Sequence, residues 1–233
     1  MRIKAGLVAL VVGAVLLPLA GATATTSEAL VLDGVHVDLR PGTSQVITVR
    51  HTHGTYAQVT FWALRYGRWQ VLARSADGRT GYGGLVDGTE RRQGTGTTPL
   101  GTYSLPFTFG SQGKHRYWTM PYKKFDADDY WVEDNASVYY NRYRSRDRGG
   151  FRWDLHSAVN GSERLAAYAG QYLMSVVIAY NYYEPVHYRG AGIFLHVNGS
   201  GATAGCVSAP SWFLMAVMNG LDARRKPLIA IGR

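Results

Sequence analysis

The sequence predicts a mostly β fold with one or two short helices, on three observations. Residues 30–50 alternate apolar and polar positions on either side of a turn at Pro41-Gly42. Residues 57–74 show the same alternation around Tyr66-Gly67. The composition, with 46% hydrophobic and 18% charged residues, is that of an ordinary globular protein large enough to bury a core. These features favour one main domain built from strands and hairpins.

The composition of the middle of the chain predicts two irregular segments joined to the sheet. Residues 78–102 are rich in Gly and Thr, which is typical of a surface loop, and they lead into a short strand, "GTYSL". Residues 117–153 are rich in aromatics but show little periodicity. We interpret this second segment as a long excursion from the sheet, of the kind that often carries a binding site.

The C-terminal third predicts the remaining strands and both helices. Helical spacing appears in "SERLAAYAG" and again after Pro210, where Asn219-Gly220 marks the expected end. The predicted strands are "QYLMSVVIAYNYY" (residues 171–183), "AGIFLHV" (191–197) and the final "KPLIAIG" (226–232).

The N-terminus resembles a secretory signal peptide. Arg2 and Lys4 precede an apolar stretch, and small residues follow it up to an A-x-A site ending at Ala24. We therefore expect three parts: a signal peptide over 1–24, an N-terminal segment over 25–45 that is a strand or a tether, and a catalytic domain over 46–233. The alternative is an uncleaved membrane anchor. We expect the mature protein to be secreted and associated with the cell wall.

The net charge restricts the kinds of partner that we expect, and the single cysteine restricts the roles that a thiol can have. The formal net charge is +9, or +7 without Arg2 and Lys4, which favours anionic partners such as wall polymers or peptide carboxylates. No nucleic-acid-binding motif is present, so we expect no nucleic-acid partner. Cys206 has no second cysteine to pair with. In an exported protein such a thiol is either a catalytic group or an inert part of the core.

The residues around Cys206 favour catalysis. His196 ends an apolar strand ten residues before it, and a glycine-rich turn between them can bring the imidazole beside the sulfur. Gly205 allows a tight backbone, so the amides of Ala204, Gly205 and Cys206 can point at a developing oxyanion. The helix after Pro210 adds a favourable field for a thiolate. Without Cys206, His196 would be interpreted as a core histidine.

Several ordered segments resemble the L,D-transpeptidase catalytic domain of the YkuD type. They are His196, the glycine loop with "TAGC", and "RRQGTGTTPLGTYSL", which is similar to the family's G-x-T-P-x-G-x-[FY] strand. Further segments, "DYWVEDNASVYYN" and "VVIAYNYY", resemble a secreted actinobacterial-type branch of the family. Ala204 and Ser208 stand where the usual signature has a second histidine and an arginine or asparagine.

The resemblance implies a β-sandwich fold and a thiol-based mechanism. It implies that His196 deprotonates Cys206, which attacks a peptidoglycan stem tetrapeptide, releases D-Ala and passes the thioacyl group to an amine in a 3→3 cross-link. Thr203 is a candidate orienting residue, with Ala204 and Gly205 at the oxyanion. The candidate substrate-binding residues are Thr98, Tyr103, Trp131 and Tyr140, although aromatics at this density also suit a core.

Two alternatives to a transpeptidase stay open. An L,D-carboxypeptidase would use water as the acceptor, and a wall-binding module would keep the fold without turnover. We expect no cofactor and no metal, because His51 and His53 lack partner ligands at a suitable spacing. The expected partners are peptidoglycan stem peptides, with anionic wall polymers as a further candidate, and the expected state is a monomer.

Overall fold

A computed structural model describes residues 30–233, and this part of the chain is mostly β. The predicted signal peptide, residues 1–24, lies outside the described residues. In the described part, no helix has the length and apolar character needed to cross a bilayer.

The described residues form sixteen strands and one α-helix. In chain order the strands are β1 Leu30–Leu32, β2 Val35–Val37, β3 Gln45–His53, β4 Tyr56–Arg65, β5 Arg68–Arg79, β6 Leu85–Asp87, β7 Thr98–Ser104, β8 Thr108–Gly110, β9 Tyr122–Lys124, β10 Asp129–Trp131, β11 Tyr143–Ser145, β12 Glu163–Arg164, β13 Ser175–Val177, β14 Phe194–Val197, β15 Val207–Ala209 and β16 Leu228–Gly232. The helix α1 spans Ser211–Gly220, and short 3-10 helices lie at Arg146–Arg148, Leu165–Tyr168, Gln171–Leu173 and Ala223–Arg225.

Eleven strands form one long sheet in the order β6-β7-β16-β3-β4-β5-β15-β14-β13-β8-β9. The long strand β5 connects its two halves, because most of it pairs with β4 while Arg79, at its end, pairs with Ser208 in β15. Residues from β3, β4 and β16 share one apolar core with residues from β13, β14 and β15. The two halves therefore enclose a common core, as in a β-sandwich.

The helix closes this core. It begins just after Pro210 and ends at Gly220, as the sequence predicts, and it buries Phe213, Leu214, Val217 and Met218. These side chains join the core shared by the two halves of the sheet. Apolar residues at helical spacing thus place one face of α1 against the sheet.

A second, aromatic core lies on the opposite face of the β13–β14 region. Successive side chains of a strand point to opposite faces, so Leu195 joins the first core while Phe194 joins the second. Residues 125–174, which overlap the excursion predicted over 117–153 and extend beyond it, cover this second face with a small sheet ordered β11-β10-β12 and three short 3-10 helices. This covering segment encloses the candidate site.

Several local predictions are confirmed and others are wrong in detail. Tyr66-Gly67 joins β4 to β5 as predicted. Strands do lie on both sides of Pro41-Gly42, but β2 pairs with β1 rather than with β3. Of the strand predicted over 171–183, only Ser175–Val177 is extended in a sheet, because a 3-10 turn precedes it. The helix predicted in "SERLAAYAG" is a short 3-10 helix.

Part of the predicted N-terminal segment packs on the domain. Val35 and Val37 are buried and join Val46, Leu228 and Ala230 in a small apolar cluster. The stretch from Leu30 onward is therefore attached to the sheet rather than a free tether.

Candidate active site

A cavity of about 370 Å³ opens beside β14. Three segments far apart in sequence line it: the Gly/Thr-rich loop between Tyr82 and Gly96, the covering segment 125–174, and residues 191–206. Both Cys206 and His196 belong to this lining. The irregular segments singled out in the sequence thus meet the thiol and the imidazole at one place.

The parallel pairing of β14 with β15 brings Cys206 to this cavity. In this register Leu195 lies beside Val207, so Cys206 lies next to Phe194. The Phe194 amide donates to Cys206 Sγ at 3.3 Å, and the thiol donates to the Gly192 carbonyl at 3.2 Å. Burial, and secondly the negative charge of Glu163, raises the pKa of the thiol well above its usual range. Cys206 is therefore a neutral thiol in the resting protein.

The backbone fixes the tautomer of His196. Its Nδ1 lies 2.8 Å from the Val197 carbonyl, which can only accept, so Nδ1 carries the hydrogen. In the neutral ring Nε2 then keeps its lone pair, and it has no hydrogen-bond partner among residues 30–233. Burial lowers the pKa of His196 to about 4, so the ring is neutral at pH 7. A neutral imidazole with an unpaired Nε2 is suited to accept a proton.

The thiol and the imidazole share the cavity but are not hydrogen-bonded to each other. Both contacts of Sγ among the described residues are backbone groups, Phe194 N and Gly192 O. The ring of Tyr172 packs edge-to-face on His196, with 5.3 Å between the ring centroids. The resting arrangement is thus a pair of neutral groups, and the thiol must turn away from Gly192 to reach Nε2.

Thr203 holds the turn that presents the cysteine. Its hydroxyl donates to the Cys206 carbonyl at 2.6 Å and accepts from the Gly205 amide at 3.2 Å. The amide of Gly205, one of three predicted oxyanion donors, is therefore already occupied. The amides of Ala204 and Cys206 have no acceptor within the described residues, which leaves these two available to a ligand.

The prediction that the helix after Pro210 stabilises a thiolate at Cys206 is wrong. The strand β15 separates Cys206 from α1, and the helix packs into the first core rather than toward the cavity. Three residues of strand span about 10 Å, which is well beyond the first turn over which a helix dipole acts.

Two carboxyl groups line the same cavity. Glu133 follows β10, and Glu163 begins β12 and accepts a hydrogen bond from Tyr172 at 2.7 Å. Burial raises the pKa of both carboxyls, and the charge of Glu163 raises that of Glu133 further. Two neighbouring carboxyls in a cavity partly shielded from water share protons more readily than they both ionise.

Arg91 contributes the positive charge of the cavity wall. It is only 3% exposed, and its guanidinium donates to the carbonyls of Thr97 at 2.7 Å and Arg189 at 3.3 Å. It also lies 5.5 Å from the centroid of the Tyr180 ring. Among the ion pairs of the described residues, none involves Arg91.

The four candidate substrate-binding residues lie outside the cavity lining. Thr98 is fully buried and its hydroxyl accepts from the Gly81 amide, beneath the cysteine turn. Tyr103 packs against Tyr180 beside a separate, shallower depression. Trp131 and Tyr140, each 1% exposed, belong to the second core. The structure thus gives these residues supporting positions behind the site.

The cavity residues that the sequence analysis did not single out include Arg91, Glu133, Glu163 and Tyr172. Glu133 carried a usable signal, because it directly follows the apolar run from Tyr130 to Val132. Arg91 stands in the loop predicted to lie on the surface, Glu163 at the start of a predicted helix and Tyr172 in a predicted strand, and nothing in these three patterns points to a cavity.

One of three comparisons with known proteins finds a match for this chain. The family model of the YkuD L,D-transpeptidase catalytic domain matches residues 46–222. Comparisons with curated proteins and with solved structures give no match. The matched range runs from β3 through α1 and includes both the thiol and the imidazole of the cavity. Because the family model covers most of the chain, the chain belongs to the L,D-transpeptidase family.

Proposed function

We propose that the protein is a secreted peptidoglycan L,D-transpeptidase with Cys206 as nucleophile and His196 as general base. The observation that carries the proposal is a single cavity whose lining includes both the only cysteine of the chain and an imidazole whose Nε2 has no partner among residues 30–233. Family membership supports the reaction type and the peptidoglycan substrate. Secretion rests on the N-terminal sequence alone.

In the first half-reaction the thiol rotates from Gly192 toward His196. Nε2 takes the thiol proton as the sulfur attacks the carbonyl carbon between the third stem residue and D-Ala. The C–N bond then breaks, D-Ala leaves as an amine that receives the proton from His196, and a thioester remains on Cys206. Because both groups are neutral at rest, proton transfer accompanies sulfur attack rather than preceding it.

The backbone stabilises the charge that develops on the carbonyl oxygen. The amides of Ala204 and Cys206 have no acceptor within residues 30–233 and stand at the turn held by Thr203. Donors fixed in place before the reaction stabilise an oxyanion without reorganising. Gly205 lies between them with a φ of 127°, a conformation that favours glycine.

In the second half-reaction an amine of a neighbouring stem attacks the thioester. His196 accepts a proton from the attacking amine, the C–S bond breaks, and the sulfur recovers its proton. The products are a 3→3 cross-link and the free enzyme. Water in place of the amine would give the tripeptide of a carboxypeptidase.

The test is mass spectrometry of a disaccharide tetrapeptide incubated with the mature protein. We expect release of D-Ala and a cross-linked dimer. Cys206→Ala should abolish both, and His196→Gln should reduce the rate by about 10²–10⁴-fold, the usual contribution of general acid–base catalysis.

Circular dichroism and thermal melting of both variants serve as folding controls. A bare tripeptide without dimer would assign a carboxypeptidase instead. If the folded wild type binds peptidoglycan but leaves the tetrapeptide intact, the protein is a wall-binding module and the proposal is wrong.

A further inference from the structure

Arg91 is a buried cation without a counter-ion in the described part of the chain. Its side chain is almost wholly removed from water, and its direct contacts are carbonyl dipoles and the Tyr180 ring. At longer range its charge acts on Glu133, where it partly offsets the rise in the pKa of that carboxyl. A buried charge is costly unless it is paired with an opposite charge or engaged by a ligand. The carbonyl bonds use Nε and Nη1, which leaves Nη2 without a partner among residues 30–233.

The unpaired Nη2 lies beside the cysteine turn. A Cβ built on Gly205 would stand 2.8 Å from Nη2, so the guanidinium contacts the residue directly before the nucleophile. A Cβ built on Gly190 would stand only 1.5 Å from Nη1. The backbone has glycine at both positions where the guanidinium makes its closest approach. Arg91 also lines the cavity, so its open donor can reach a ligand there.

We propose that Arg91 binds the C-terminal carboxylate of the residue that leaves the donor peptide. In a stem tetrapeptide this carboxylate is separated from the attacked carbonyl by one residue, and one residue spans about 3.8 Å. The guanidinium lies beside Gly205, the residue directly before Cys206, so its offset from the nucleophile along the chain is also one residue. Guanidinium binds carboxylate with directional, charge-assisted hydrogen bonds.

This contact makes Arg91 a specificity-determining residue and rests on the proposed function. A donor ending one residue beyond the attacked carbonyl places its carboxylate on Arg91. An amidated donor, or one extended by another residue, presents a neutral amide at the same point. The cavity then favours peptides with a free carboxylate at that position, as an exopeptidase does.

The other charged groups facing the cavity do not cancel this cation. Glu133 and Glu163 are the carboxyls of the cavity lining within residues 30–233, and neither forms an ion pair with Arg91. They line the same cavity and come from the covering segment. A carboxylate ligand on Arg91 thus meets a guanidinium that has no ion-pair partner within residues 30–233 and has an open Nη2.

The experiment compares two donors, the stem tetrapeptide with a free D-Ala carboxylate and the same peptide as its C-terminal amide. For the wild type we expect kcat/KM to favour the acid by about 10- to 100-fold, the size of one charge-assisted hydrogen bond. Arg91→Gln, which keeps a donor for Thr97 but loses the charge, should bring this ratio close to one. Arg91→Lys should keep the acid preferred, with a smaller ratio.

Arg92→Gln is the matched control. Arg92 is the exposed neighbour, and its guanidinium contacts the carbonyls of Glu90 and Arg91. We expect this variant to keep the wild-type ratio. A purely structural role of Arg91 would lower the rates on acid and amide together, leaving the ratio unchanged. That result overturns the inference. A wild-type ratio of acid to amide kcat/KM near one overturns it as well, and this measurement does not require Arg91→Gln to fold.

Binding to Cys206→Ala separates this inference from the proposed function. We expect calorimetry to show tighter binding of the acid than of the amide, and the difference to disappear in the Arg91→Gln, Cys206→Ala double variant. If the wild type does not release D-Ala but this binding difference holds, the catalytic proposal fails and the carboxylate site stands. Equal binding of the two peptides overturns the site.

Discussion

Leu195 and His196 are neighbours on β14, yet they lie in opposite environments. Leu195 is fully buried between Val176 and Val207 of the adjacent strands, in the core closed by α1. His196 points to the other face, where it lines a cavity under the covering segment 125–174. One strand therefore serves stability on one face and the candidate chemistry on the other.

The difference between the faces lies in what burial does to each set of residues. On the Leu195 face, excluding water from apolar side chains stabilises the fold directly. On the His196 face, the same exclusion disfavours charge, so it lowers the pKa of the imidazole and raises those of the thiol and of both carboxyls. The apolar packing on the Leu195 face holds the His196 face in place, and it offsets the cost of keeping ionisable groups away from water there.

The largest expected effect comes from breaking the Leu195 face. Leu195→Ala should lower the free energy of unfolding by about 2–5 kcal/mol, because it leaves a cavity in a close-packed core. Cys206→Ala, on the opposite face, should change it by about 1 kcal/mol or less. Urea unfolding followed by circular dichroism measures both. Equal losses for the two variants would contradict the division of β14 into a stability face and a reactive face.

A second prediction concerns the reactivity of the thiol before substrate binds. Because burial raises the pKa of Cys206 in the folded protein, little thiolate is present at pH 8. We expect iodoacetamide to alkylate the folded chain at least about tenfold more slowly than the same chain unfolded in urea. Mass spectrometry of quenched samples between pH 6 and pH 9 gives both rates.

The unfolded chain is the control for the reagent, since it contains the same single thiol. Folded-state alkylation that matches or exceeds the unfolded rate, with a midpoint near or below the ordinary value of about 8.5, would indicate a resting thiolate–imidazolium pair. The neutral pair described above would then be wrong.

The sequence predicts much of the fold where local patterns decide it. The turn at Tyr66-Gly67, the helix after Pro210 and the final strand depend on periodicity and on turn residues, and all three are confirmed. The extent of the strand within 171–183 depends instead on which neighbours pair with it. Only Ser175–Val177 finds partners on both sides, β14 and β8, so the apolar pattern overstates its length.

The residues of the candidate site also fall into two groups, those that the local sequence predicts and those that depend on long-range packing. Cys206 and His196 are close in sequence, and the parallel pairing of β14 with β15 keeps them close in space. Arg91 and Glu133 come from loops that are remote in sequence from Cys206. Their burial follows from how the covering segment packs, and charged residues are rarely buried, so their pattern alone indicates a solvated surface.

The smallest effect is expected from Glu133, on the cavity side. Burial and the charge of Glu163 raise the pKa of its carboxyl in the folded protein, so unfolding releases a proton above pH 4 or so. This group therefore makes the protein less stable as the pH rises. Glu133→Gln should stabilise the fold by about 1–2 kcal/mol at pH 8 and by almost nothing at pH 4. His196, whose pKa shifts in the opposite direction, contributes equally to both proteins, so its contribution cancels in the difference.

The control is Glu184→Gln, at an exposed carboxyl, which should leave stability unchanged at both pH values. Thermal melts at the two pH values measure the differences, and a Glu133→Gln gain equal at pH 4 and pH 8 would show that its carboxyl ionises as readily in the cavity as in water.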